Sequence, residues 1–261
     1  GSEPTKIDYI YIIIIKTEIM KHEIFEVGGC VRDEILGVST KDIDFTFVLG
    51  NTNMTVDQGW DEMLTFLNSQ GFKIFLETKD CFTVRAMFPK GHQHESLVAD
   101  FVMARKEVGV IAGTRKPILE LGSLSDDLRR RDFTVNALAK DINGVIIDEW
   151  NGINDLKEMV LKTPLDPIIT LADDPLRLLR ALRFSITKEF RIDKSLMEAM
   201  LQPGLLKKLQ DVVSQERIRA EIQKMMKHDT VKSIKLIQAV PGLLEVIFTD
   251  GMWLMPTTKI K

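Results

Sequence analysis

Two carboxylates one residue apart, Asp42 and Asp44, are the first chemically loaded pair in the chain. They sit at the start of Ile43-Asp44-Phe45-Thr46-Phe47-Val48, which alternates with period two and reads as a half-buried strand. Alternation puts Asp42 and Asp44 on one face and Ile43, Phe45 and Phe47 on the other, toward a core. Side-by-side carboxylates repel unless a cation lies between them, and Mg²⁺ prefers oxygen ligands of this kind. Upstream, Gly28-Gly29 opens a helical turn, with 12 residues between Gly29 and Asp42. The bare glycine backbone lets N–H groups approach a phosphate at a helix N-terminus. Arg32, one turn in, can add a charge-assisted hydrogen bond. Asp33 reads as structural, capping or pairing with a nearby base. Each feature alone has an ordinary reading, since Asp-x-Asp also describes a solvated strand edge and Gly-Gly a plain turn.

Two arginine-rich strings follow. Leu128-Arg-Arg-Arg-Asp-Phe-Thr-Val-Asn-Ala-Leu138 sets three arginines before Asp132, and planar guanidinium groups grip phosphate oxygens bidentately. Asp173-Asp-Pro-Leu-Arg-Leu-Leu-Arg-Ala-Leu-Arg-Phe184 reads as a helix with Asp173 as N-cap acid and Pro175 in its first turn. Its arginines, Arg177, Arg180 and Arg183, recur every third position and spread over a broad polar face. Leu178, Leu179, Leu182 and Ile186 fill the other side. Asp174 and Arg177 are helical neighbours, where an acceptor beside a donor fork can pair with a nucleobase edge. The bland alternative is a surface salt bridge.

Gly28-Gly-Cys-Val-Arg-Asp33, Leu36-Gly37 and Asp42-Ile-Asp44 resemble the first signature of the class II tRNA nucleotidyltransferase and bacterial poly(A) polymerase family. The resemblance implies that Asp42 and Asp44 bind the catalytic metals, with Asp100 as a candidate third acid on a neighbouring strand. The second string resembles the motif in which Arg131 and Asp132 contact the nucleotide sugar and phosphates, with Asn136 in support. The third is similar to the nucleotide-selecting motif, usually Glu-Asp-x-x-Arg. It implies that Asp174 and Arg177 face the base while Arg180 and Arg183 assist with nucleotide or primer. Asp173 replaces the commoner Glu without changing charge. Val213–Met225 resembles the neck motif that follows, in which Ser214 caps a helix and Arg217 and Glu221 brace the base-reading helix. Glu107–Lys116 falls where the family has a flexible loop. His92 and His94 lack a third ligand and read as solvated.

These residues need positioning elements. Strands are expected at 24–27, 43–48, 72–76, 82–88, 97–104 and 145–148, with helices at 31–36, 57–70 and 124–140 and an irregular loop over 107–123. Beyond Trp150 the strand pattern fades and helices are expected at 154–160, 173–187, 193–200, 204–209, 214–227 and 231–240. This is an α+β layout, a mixed-sheet head over 20–150 followed by an all-helical neck over 151–261. Residues 1–19 read as a tag or N-terminal extension, within which Tyr9–Ile15 is an unbroken aliphatic run. Seven residues cannot cross a bilayer, which takes roughly 20.

The chain has 261 residues and a net charge of −3, and an acidic balance argues weakly against a nucleic-acid binder. The average hides its distribution, because residues 201–261 carry 10 Lys+Arg against 6 Asp+Glu. Two cysteines exclude a disulfide framework and a CxxC metal site, which points to the cytoplasm. The expected function is template-independent addition of CCA to the tRNA 3′ end from CTP and ATP, with two Mg²⁺ ions and release of pyrophosphate. Alternatives are poly(A) polymerase, CC-only or A-only addition, or a catalytically idle RNA-binding protein. The intact aspartates disfavour the last. Relatives commonly continue into body and tail domains, so a homodimer is one way to supply further grip on RNA.

Overall fold

In the computed structural model, residues 22–40, 42–50, 53–110 and 117–248 are described. The expected N-terminal extension, the Tyr9–Ile15 run and part of the 107–116 loop lie outside them. The chain divides into two compact units, one ending at Ile153 and the other starting at Asn154.

The first unit is built on β1 (His22–Val27), α1 (Gly29–Ile35), β2 (Asp42–Leu49), α2 (Val56–Ser69), β3 (Lys73–Thr78), β4 (Thr83–Met87) and β5 (Val98–Met103). After these come β6 (Arg105–Val110), β7 (Pro117–Leu121), α3 (Leu124–Arg129), β8 (Ala139–Lys140) and β9 (Ile146–Ile147). Seven strands form one sheet in the order β3-β4-β5-β2-β1-β8-β9. β2 pairs parallel with β5 and antiparallel with β1. The two faces of β2 differ as alternation requires. Ile43 and Phe47 enter a core with Val31, Trp60, Met63, Leu67 and Phe101, leaving Asp42 and Asp44 on the opposite face. α2 is fixed at its start by a capping box between Thr55 and Gln58.

Two expectations fail here. Within the stretch expected as an irregular loop, residues 107–110 and 117–121 lie in strands, because β6 and β7 pair antiparallel. Its register shifts between Glu107 and Gly109, and Pro117 opens β7. A glycine at a bulge and a proline at a strand start mimic loop composition. The helix expected over 124–140 stops at Arg129 and gives way to a single 3₁₀ turn at Thr134–Asn136 and to β8. Phe133, Val135, Ala137, Leu138 and Ala139 are all fully buried, so their apolar spacing reflects burial on every side rather than a helical stripe.

The second unit continues with α4 (Gly152–Lys157), which straddles the boundary, then β10 (Val160–Leu161), α5 (Pro167–Asp173), α6 (Leu176–Thr187), β11 (Arg191–Ile192) and α7 (Lys194–Met200). It ends with α8 (Leu205–Val212), α9 (Gln215–His228), α10 (Thr230–Gln238) and α11 (Leu243–Ile247). It is not wholly helical, because β10 and β11 pair in parallel over two residues each. The helix expected over 173–187 starts three residues later, at Leu176, and a separate helix not expected from the sequence precedes it. α5 ends at Asp173 and α6 begins at Leu176, with Asp174 extended at φ −133°, ψ 99°. A residue preceding proline is pushed out of the α region, so α6 does not start at Asp173 but opens directly after Pro175, its N-cap residue. Leu178, Leu179, Leu182 and Ile186 are buried as expected. Among the described residues no helix is long and apolar enough to cross a membrane.

Candidate active site

Asp42, Asp44 and Asp100 come together through strand register. Asp44 lies directly across from Asp100 on β5, and Asp42 across from Val98. The three acids line one cleft of about 350 Å³ together with Ile43, Phe75, Arg85 and Val98. Asp42 is exposed and Asp44 half-buried. Burial pushes the Asp44 carboxyl above the usual carboxylate range, the nearby Asp100 and Asp42 charges add to this, and Arg131 and Arg85 oppose it. Neither Asp42 nor Asp44 has a side-chain hydrogen bond or ion pair among the described residues, and the Arg131 and Arg85 charges only partly offset theirs.

Asp100 differs from the other two. Both of its oxygens accept hydrogen bonds from Arg85, Nε to Oδ1 and Nη2 to Oδ2, each 2.7 Å. Arg85 is a site residue that the sequence reading missed. Its signal is a charged residue on the polar face of Thr83-Val84-Arg85-Ala86-Met87, where Val84 and Ala86 are buried. Among the described residues no three His, Cys, Asp or Glu side chains converge to enclose a metal ion. The donor set nonetheless fits a hard divalent cation. Asp42 and Asp44 are oxygen ligands held on one face, and their mutual repulsion calls for a positive charge.

The glycine turn sits beside this cleft through Arg131. Gly28 has φ +79°, and a Cβ there would come 2.5 Å from Arg131 Nη1, so only glycine permits the approach. Arg131 is anchored by Asp127, whose Oδ2 also accepts from the Thr46 hydroxyl on β2. Burial works against the Asp127 charge, yet Arg131 and Arg130 hold its carboxyl below the usual range. Arg131 Nε is buried with no hydrogen-bond partner, an unsatisfied donor close to the acidic cleft.

The other expected nucleotide ligands of this unit form an internal network. Arg32 is buried, donating to Asp33 at 2.8 Å and to Asn136 Oδ1. Asn136 in turn donates to Asp132 Oδ1, which also accepts from the Phe133 backbone N–H. Asp33 pairs with a base, as the sequence suggested. The network ties α1 to the segment after α3, so Arg32, Asp132 and Asn136 hold the Gly28-Gly29 turn in place. Gly29 lies 3.5 Å from the Arg32 guanidinium by the same Cβ measure.

In the second unit, Asp174 and Arg177 flank the break before α6 rather than sharing one helix. Asp174 Oδ1 accepts from the Leu176 N–H, and Oδ2 accepts from Arg217 at 2.8 Å. Arg177 donates to the Thr170 carbonyl, which brings it back onto α5. Arg183 pairs with buried Glu221 at 2.5 Å, and Arg180 approaches the same carboxylate at 3.9 Å. Ser214 is the N-cap residue of α9 but makes no side-chain capping bond. His92 is exposed, as expected, and stacks on Phe88 with ring centroids 4.7 Å apart.

Residues 24–162 match the poly A polymerase head domain, and the chain belongs to that family. It is 34% identical over 215 residues to tRNA nucleotidyltransferase cca2 of Schizosaccharomyces pombe, covering 78% of this chain and 43% of that protein. It is 32% identical over 242 residues to a CCA-adding enzyme of Bacillus pumilus, covering 90% of this chain and 55% of that one. A solved tRNA nucleotidyltransferase, in complex with a primer tRNA and an incoming ATP analogue, aligns at TM-score 0.67 and 27% identity over 92% of this chain and 63% of its own. The chain thus spans about half the length of the curated relatives it matches.

Proposed function

We propose that this chain adds CCA to the 3′ end of tRNA from CTP and ATP, releasing pyrophosphate and using Mg²⁺. The observation that carries the reading is the register of Asp42, Asp44 and Asp100 on adjacent strands beside Arg131. The names of the relatives above support the substrate. Asp42 and Asp44 would hold the metal, which when bound activates the attacking hydroxyl and stabilises charge on the phosphates. Arg131, fixed by Asp127, would offer the exposed part of its guanidinium to triphosphate oxygens. The attacking RNA 3′-oxygen displaces pyrophosphate from the α-phosphorus, and the protein's share of the work is positioning and charge stabilisation. Asp174 and Arg177 would read the incoming base without a template strand, with Arg180 and Arg183 assisting through the α9 contact. The two cysteines are free thiols, in keeping with a cytoplasmic location.

The deciding experiment offers tRNA lacking CCA with CTP and ATP, singly and together, and sequences the 3′ ends. Ordered CCA is expected. Homopolymeric tails, or incorporation of one nucleotide type only, would overturn the substrate assignment. Sedimentation of the same samples tests whether a homodimer binds the tRNA.

A further inference from the structure

Three charged side chains lie in a row across the sheet. Arg85 on β4 faces Asp100 on β5, which faces Asp44 on β2, each pair in direct register. The row reads plus, minus, minus, with Asp42 next to its acidic end on the same face. The Arg85 fork engages both Asp100 oxygens at 2.7 Å. That geometry is the strong, bidentate kind. It turns the Asp100 carboxylate toward β4 and away from Asp44. The Arg85 side chain is 47% exposed and that of Asp100 27%, so the pair sits at the rim of the cleft, within reach of water, rather than inside the core.

We propose that Arg85 is a positioning residue that withholds Asp100 from the metal site and so weakens the site's intrinsic grip on divalent cations. Two physical effects act in the same direction. A fixed positive charge in the cleft repels an incoming cation, and the bidentate pairing occupies the oxygens that would otherwise complete the ligand set. With Asp100 held back, Asp42 and Asp44 offer only two carboxylates. Tight occupancy then needs further oxygens, and a triphosphate brings them. Arg85 would make metal loading depend on the nucleotide, so the cleft fills when substrate arrives.

This inference rests on the assignment of Asp42 and Asp44 as metal ligands, and the test separates the two. Mn²⁺ binding to the full chain is followed by the loss of the free-ion electron paramagnetic resonance signal, without nucleotide. Wild type, Arg85→Gln, Arg85→Lys and Asp44→Ala are compared, with circular dichroism reporting the folded state of each. Arg85→Gln is expected to bind Mn²⁺ roughly tenfold more tightly than wild type. Arg85→Lys, which keeps the charge, is expected to stay closer to wild type. Adding a non-hydrolysable CTP analogue is expected to shrink the gap between Arg85→Gln and wild type. Folded Arg85→Gln with unchanged or weaker Mn²⁺ affinity, while Asp44→Ala loses binding, overturns the role of Arg85 and leaves the metal site standing. Binding unaffected by Asp44→Ala overturns the metal assignment itself. A merely structural Arg85 would lower stability but would not tighten the metal.

Discussion

The two units handle charge in opposite ways. In the head, Asp42 and Asp44 face a cleft with no side-chain hydrogen bond or ion pair among the described residues, and burial among like charges raises the Asp44 carboxyl. In the second unit the corresponding acids are already answered from within the protein. Asp174 is held by Arg217, and Glu221 takes Arg183 at 2.5 Å with Arg180 nearby. The head leaves a deficit that a ligand must fill. The segment around Asp174 and α6 uses its charges to fix its own geometry. One site is therefore built to be completed and the other to be rigid.

The largest effect that could break this contrast is in the head. Asp44→Ala is expected to reduce single-turnover nucleotide transfer by about 10³-fold or more, because metal-borne stabilisation of several kcal/mol is lost at about 1.4 kcal/mol per decade. Its melting temperature should hold or rise, since a half-buried carboxyl beside two like charges is removed. A variant that kept its rate would end the metal assignment. Next is Glu221→Ala, which strips a buried carboxylate from Arg183 and should cost about 3 kcal/mol in denaturant unfolding. A neutral result would show that the second unit does not depend on that pair.

Smaller still is Arg217→Ala. Freed from its partner, Asp174 should lose its fixed direction, and discrimination between CTP and UTP in kcat/KM should fall by roughly tenfold. Unchanged discrimination would mean that the partner only staples α9 to the α5–α6 break. The last variant, Asp127→Asn, is read through pH. The folded-state carboxyl lies below its ordinary value of 3.8, so its contribution is present above that pH and lost as pH falls through the folded value. The variant should flatten the acid limb of melting temperature against pH below about pH 4. At neutral pH, where that contribution is fully present, the variant should melt below wild type and loosen Arg131.

Much of the site could be read in the residues. The alternation around Asp42 and Asp44 specified a strand face, and that face does carry both acids. Leu178, Leu179, Leu182 and Ile186 marked the buried side of the base-reading helix. The errors share a cause. The spacing over 124–140 predicts one helix, but beyond Arg129 it reflects burial on all sides. Residues 107–123 were taken as loop because Gly109 and Pro117 look like punctuation, whereas they sit at a bulge and a strand start. Pro175 was read as a helix opener, yet its larger effect falls on Asp174, which it forces into an extended conformation. Arg32 and Asn136, both expected at the nucleotide, hydrogen-bond to each other across 104 residues of sequence, a pairing that no local pattern shows.

The sequence by itself determined which faces are polar, because side-chain direction on a strand or helix follows from local backbone periodicity. It also determined where the glycine turn falls, because φ of +79° at Gly28 is a local demand. Only the tertiary structure decided which charges meet. That Asp100 lies across from Asp44, that Arg85 takes both of its oxygens, and that Arg217 reaches Asp174 from 43 residues away are matters of strand register and helix packing. Register is set by a core that alternation alone cannot align, since sliding a strand by two residues preserves every face and changes every partner.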